Sequence, residues 1–378
     1  ATGAAGVDGS DGATGPQGAT GAAGATGATG ASGVAGSITQ LTDALVEDAS
    51  IYIGNDPSGT TSTAERNIAI GTTALDAITT GDQNIAVGHN ALTANTSGGL
   101  NIALGTEALY SNIDGGSNIA SGYQALYSNT SGIDNVSIGV QSSRANTTGS
   151  YNTGLGYRAL YENTTADFNV AIGALALSEN ITGEKNSALG VNALFSNTTG
   201  YRNTASGFQA LFSNTTGYHN TAFGYQALAL NVDGLSNTAY GYEAMISNTA
   251  GSYNQASGYQ SLYNNVTGDA NTTSGFQSMY YNTGSGNTAT GYFALDTNIS
   301  GTYNTAIGHA ADVASAALTN ATAIGNQATV NASNTMQLGN ASLTDVLTSG
   351  DMTIGGTYYI SSDRRLKKDI VDTRYGLN

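Results

Sequence analysis

Residues 197–228 read NTTGYRNTASGFQALFSNTTGYHNTAFGYQAL, nearly the same sentence twice at an offset of seventeen residues. An enzyme gathers unlike residues at one point, whereas a repeat sets like residues along a line, so the period comes before any motif. Outward from this stretch the leading Asn falls at 67, 84, 101, 118, 135, 152, 169, 186, 203, 220, 237, 254, 271, 287 and 304. Every step is seventeen except one of sixteen, into Asn287. Gly follows each leading Asn four residues later, from Gly71 to Gly308. Eight residues after it comes Leu or Met, from Leu75 to Leu295, with Ser143 and Asp312 as the exceptions.

One unit suggests its own physics. Asn203–Gly207 and Ala210–Ser213 are each about the length of a short strand. Gly207 bends the chain where a Cβ would obstruct it. Thr215, Thr216 and Gly217 form the return turn, with Gly217 expected at positive φ. Ala at the third place and Leu at the ninth read as small and large halves of an interior layer. Layers spaced by about 4.7 Å give a shaft of roughly 70 Å, with Asn197 and Asn214 placed to form amide ladders. The expected fold class is therefore all-β and fibrous: a β-roll or β-solenoid of seventeen-residue repeats. Three chains either pack as separate rolls or interwind around one core.

Other segments flank the shaft. Gly occupies every third position from Gly3 to Gly36, the register of a collagen triple helix, in which only Gly fits at the axis. Residues 1–36 are thus expected to be a collagen-like stalk requiring three chains, a rod of roughly 100 Å. A flexible linker is the bland alternative, but a linker has no reason to keep register. Residues 37–66 form a neck. Ile38, Leu41 and Leu45 suit one turn of three-stranded coil or a capping turn, and Ile51 and Ile53 a short strand. Residues 67–319 are the shaft. Residues 320–360 carry a changed step of fourteen, from Ile324 to Leu338, followed by short strands around Gly355-Gly356. Residues 361–378 begin abruptly with SSDRRLKKDI.

Composition narrows the function classes. Of 378 residues, 52 are Gly, 22 Tyr and 2 Pro, with no Cys or Trp, and only 10% are charged. Globular domains carry about 25% charge, so this surface is built from Asn, Ser, Thr and Tyr, which suits an extracellular or virion fibre. Net charge is −16 without a basic stripe, arguing against nucleic acid. No apolar run reaches membrane-spanning length, so no membrane insertion is expected. The opening at Ala1, already inside the Gly register and without Met, reads as a piece or processed product of something longer.

The AIG-containing repeats, as in NTAIGHA at 304–310, resemble the β-roll heads of trimeric autotransporter adhesins and related fibre repeats over roughly 51–340. Those heads more commonly repeat every fourteen residues. The terminal SSDRRLKKDI resembles the start of the endosialidase-type intramolecular chaperone domain of phage tail fibres and tailspikes. That resemblance implies a trimerising domain that helps the fibre fold and then cuts itself off. Ser362 is the matching nucleophile and Lys367 its base, within S-D-x-R-L-K. The family domain extends well beyond the residues matched here, so self-cleavage is expected of a longer parent only. A Ser–Lys dyad needs a neutral lysine, yet Lys367 is flanked by Arg364, Arg365 and Lys368, which also reads as a solvated basic tail.

Aromatics form two files. The sixth position holds Tyr123, Tyr157, Phe208, Tyr225, Tyr242, Tyr259, Phe276 and Tyr292, and the tenth holds Tyr110, Tyr127, Tyr161, Phe195, Phe212, Tyr263 and Tyr280. They either stack on sugar rings of a receptor or pack on one another between layers. His89, His219 and His309 are too dispersed for a metal site, and no cofactor motif occurs. Asn-x-Ser/Thr triplets such as Asn163-Thr-Thr are turn chemistry generated by the repeat. The expectation is a homotrimeric structural and adhesive fibre of a phage tail or bacterial surface, meeting a cell-surface glycan or protein receptor. The alternatives are a passive spacer or matrix filament, and the non-catalytic part of a glycan-active tailspike.

Overall fold

The computed structural model describes residues 44–346 apart from Asp48, Asn55, Asp56 and Ser58. The collagen-like register, Ser362 and Lys367 lie outside the described residues. Within them the chain is all-β, a parallel solenoid in which each repeat makes one coil and contributes one three-residue strand to a 19-stranded sheet. Strand Thr204–Ser206 pairs in parallel with Thr221–Phe223, residue against residue, seventeen apart. The coil closes within one chain, so the core belongs to each chain by itself. This excludes an interwound shared core over these coils.

Coils extend on both sides of 67–319. Ser50–Ile53 already lies parallel to Ile68–Ile70, and Met336–Leu338 is the last rung, fourteen residues after Thr322–Ile324. Leu45 lies in strand Ala44–Glu47, which turns back antiparallel onto Ser50–Ile53, so it is not part of a helical turn. The sixteen-residue step is absorbed in a return turn, since Thr272 still faces Thr288 while Asn282 Nδ2 reaches Gly284 O at 2.9 Å.

Hydrogen bonds between coils run almost around the circuit, which is how so short a strand is held. Thr204 N donates to Asn220 O at 2.8 Å, Leu211 N to Ala227 O at 3.0 Å, and Thr215 N to Val232 O at 3.0 Å. His219 N donates backwards to Tyr201 O at 3.1 Å.

Ala210–Ser213, expected as a second strand, is instead a turn with Gln209 at φ +55° and Leu211 at φ +52°. Side chains of a strand alternate, so only one of two neighbours faces the core. Ala210 and Leu211 are adjacent and both fully buried, which the left-handed residues on this arc permit. Gly217 is also not at positive φ. It is glycine for space, because a Cβ there would sit 2.4 Å from Asn214 Oδ1 and 2.6 Å from Gly234 O. Gly207 does bend as expected, at φ +142°, with a Cβ position 2.3 Å from the next coil's Gly224 O.

The core is one Ala–Ala–Leu layer per coil, such as Ala205, Ala210 and Leu211. Beside it run two buried asparagine ladders. Asn214 Nδ2 donates to Asn197 Oδ1 at 2.8 Å and to Gly217 O at 2.9 Å. The leading Asn203 accepts from Asn220 N at 3.0 Å and donates to Gly217 O at 2.8 Å. The apolar core divides into two clusters, one ending at Leu126 and the other beginning at Ala159. Between them lies a polar layer in which Ser137 Oγ donates to Ser143 Oγ at 2.7 Å and Ser142 Oγ to Gly154 O at 3.0 Å.

Candidate functional site

Because coils stack in register, a sequence position becomes a file along the shaft. At the sixth position the eight aromatics are 39 to 48% exposed, immediately after the Gly bend. Six of them form one stacked run: Phe208 to Tyr225 at 5.4 Å, Tyr225 to Tyr242 at 5.0 Å, and Tyr242 to Tyr259 at 5.1 Å. Phe276 and Tyr292 continue it at 5.0 and 5.2 Å, and His309 caps it at 5.2 Å. Rings nearly parallel at this spacing cover one another's faces, so the run turns edges and hydroxyls outward. Desolvation within the stack, then the Glu243 hydrogen bond and charge, push the Tyr242 phenol above its ordinary value.

Tyr123 and Tyr157 differ. Their neighbours at the sixth position are Thr106, Val140 and Ala174, and neither ring lies in the stacked run. At the tenth position rings stack in pairs: Tyr110 on Tyr127, Phe195 on Phe212, and Tyr263 on Tyr280. Tyr161 is met by cations instead. The Arg158 guanidinium carbon lies 4.8 Å from its ring centroid and that of Arg144 lies 6.0 Å away.

Several features carried no motif. Position sixteen holds a further stack, Tyr201 on Tyr218 at 4.8 Å, beside an open groove of about 310 Å³ lined by Glu184, Lys185 and Arg202. At position seven an amide file joins coils, with Gln226 Nε2 donating to Gln209 Oε1 at 2.7 Å. The most extensive is the outer face of the sheet, at positions two and four. Ile68, Ile70, Leu104, Ile138, Ile172 and Leu189 all stand outward and exposed on it. From Thr204–Ser206 to Thr288–Thr290 the face is mostly Thr and Ser, with Phe223 and Tyr240 stacked at 5.2 Å, and Ile307 then stands exposed on it again. Its signal was present in words such as NIAIG and NIALG: with Ala inside, a period of two sends both flanking apolar residues outside.

At the far end Asp312 replaces the core Leu. Burial raises its carboxyl above the usual range, against hydrogen bonds from Thr297 and Val313 that lower it. Asp296, raised by burial and then by the Asp312 charge, lies in the preceding coil. Among the described residues no three His, Asp or Glu side chains come together as metal ligands. No protein-family model matches the chain, and no curated protein matches it.

Proposed function

We propose that the chain is one strand of a homotrimeric extracellular fibre, structural and adhesive, that presents a repeated surface to a cell. The observation that carries this reading is the exposed apolar sheet face running coil after coil from Ile51 to Leu189. A water-facing apolar strip of that extent marks an association surface. Two further copies of the chain are its occupants, in keeping with the three-chain register of residues 1–36. The collagen-like stalk, the phage or bacterial surface location and C-terminal maturation beside Ser362, with Lys367 as base, belong to the same proposal.

Sedimentation of the purified chain tests the assembly: a trimer mass is expected, and a monomer at micromolar concentration overturns it. Binding to intact cells tests adhesion. Replacing Tyr225, Tyr242 and Tyr259 by Ala is expected to weaken it if the file contacts the receptor through its hydroxyls. A passive spacer is the second reading, favoured by the mutual coverage of the rings from Phe208 to Tyr292, and absence of cell binding by the trimer selects it. For the longer parent, intact mass with and without Ser362→Ala tests cleavage.

A further inference from the structure

A chain of net charge −16 has ten Lys and Arg, and two of them, Arg144 and Arg158, stand among tyrosines on adjoining coils. Arg144 occupies the tenth position, in the place of a ring, with its guanidinium carbon 5.2 Å from the Tyr127 centroid and 6.0 Å from that of Tyr161. Arg158 occupies the seventh position and stands between Tyr157 at 5.3 Å and Tyr161 at 4.8 Å. Each is oriented by one nitrogen: Arg144 Nε donates to Gln124 Oε1 at 3.1 Å and Arg158 Nε to Gln141 Oε1 at 2.8 Å. Gln141 Nε2 in turn donates to Gln124 Oε1 at 3.0 Å, and Gln124 Nε2 to Glu107 at 2.8 Å, so the amides are themselves fixed.

Neither guanidinium pairs with a carboxylate. Among the described residues the ion pairs are Arg66 with Glu65 and Lys185 with Glu184. Both arginines are half-buried and held by two rings and one amide each, so their terminal N–H donors remain available in a fixed orientation. A fixed fork of this kind matches the two oxygens of a carboxylate or sulfate. Beside the fork, Tyr157 is 48% exposed, and the next coil places only Ala174 at the sixth position and Ser178 at the tenth. Tyr157 is thus an aromatic ring not covered by a neighbouring ring; it adjoins the Arg158 cation, which shares Tyr161 with Arg144.

We infer that Tyr157, Arg158, Tyr161 and Arg144 form a binding site for an acidic saccharide. The sugar ring lies on Tyr157, and its carboxylate or sulfate ester takes the guanidinium donors. The site rests on the adhesive reading above and names its ligand class. It remains open when copies associate through the sheet: Ser137 on the strand and Ser143 on the arc meet across the core, so the arc bearing Arg144 lies opposite the sheet face. The stacked run from Phe208 to Tyr292 contributes no such site, because its ring faces are occupied.

The test uses the full chain on immobilised oligosaccharides in three arms: uronic-acid oligomers, sulfated oligomers, and neutral oligomers of matched backbone. Binding to at least one acidic arm at least tenfold above the neutral arm is expected. The double variant Arg144→Gln/Arg158→Gln is expected to abolish that preference, and Tyr157→Ala to reduce binding to the preferred acidic arm several-fold. Arg158→Lys, which keeps the charge without the fork, separates geometry from net charge and is expected to lose most of the gain. Sedimentation of each variant controls for assembly. Acidic preference unchanged in the double variant overturns the inference. Binding to neutral oligomers alone also overturns it while leaving a glycan-binding fibre in place. Binding to none of the arms alongside retained cell attachment overturns it and directs the adhesive reading to a protein receptor.

Discussion

Three residues in most coils, Gln209, Leu211 and His219 in one example, hold positive φ without being glycine. Each costs on the order of 1 kcal/mol, and the coil tolerates it because the backbone N–H of each is bonded to a neighbouring coil. Ala270 is the cleanest probe, exposed at φ +56° with only a methyl to lose. Ala270→Gly is expected to raise stability by about 1 kcal/mol, the reverse of the usual sign for that change in a strand or helix, measurable as a higher Tm. The opposite holds at Gly207, where a methyl meets the Gly224 carbonyl at 2.3 Å. Gly207→Ala is expected to destabilise by roughly 2–4 kcal/mol, since the obstacle is backbone and the φ is unsuited to a Cβ. A melting curve unchanged from wild type would contradict both the close approach and the strain.

At the level of a coil, the serine layer is the exception that tests the rule. Restoring the repeat's own residues by Ser137→Ala, Ser142→Ala, Ser143→Leu and Gly154→Ala together fills the gap in the core. A buried Leu contributes about 2 kcal/mol, so a higher Tm is expected. Gly154→Ala alone is expected to lower it, because its Cβ would stand 2.6 Å from Ser142 Oγ. Protection of the amides around Asn135–Asn152 from hydrogen exchange reports the same change locally. The terminal coils offer a pH test. Asp312 and Asp296 have carboxyls raised above 3.8, so the folded chain holds these protons more tightly than the unfolded one. Stability from them is present below that value and lost as pH rises through the raised folded pKa values. Asp296→Asn/Asp312→Asn is therefore expected to melt above wild type at about pH 7, and the gap to close toward pH ~4. Comparing variant with wild type cancels the effect of overall charge.

Across the described residues the coils form a continuous shaft whose core is supplied by one chain, and the association proposed above is assigned to its outer face. Ile70→Asp with Leu104→Asp alters exposed side chains only, so each chain is expected to keep its β signal in circular dichroism. The trimer proposed here is expected to dissociate, read as a fall in sedimenting mass. Retention of the trimer would move the association surface elsewhere.

Much of this architecture was legible in NTASGFQALFSNTTGYH alone. The seventeen-residue step implied a stacked β coil, Gly207 its bend, Leu211 its core and Asn214 its ladder, because a strict period forces each residue type into one file. What the sequence left undecided came from contacts between coils. Adjacent burial of Ala210 and Leu211 required left-handed residues where a strand was expected, and close backbone approach, not positive φ, explained Gly217. Whether the aromatic file offers faces or edges depends on which side chain the adjoining coils set against each ring: aromatics cover the run from Phe208, whereas Val140 and Ala174 flank Tyr157. The arginines among tyrosines had no motif because Arg144 and Arg158 come from different coils and different positions. Only stacking in register brings them to one ring.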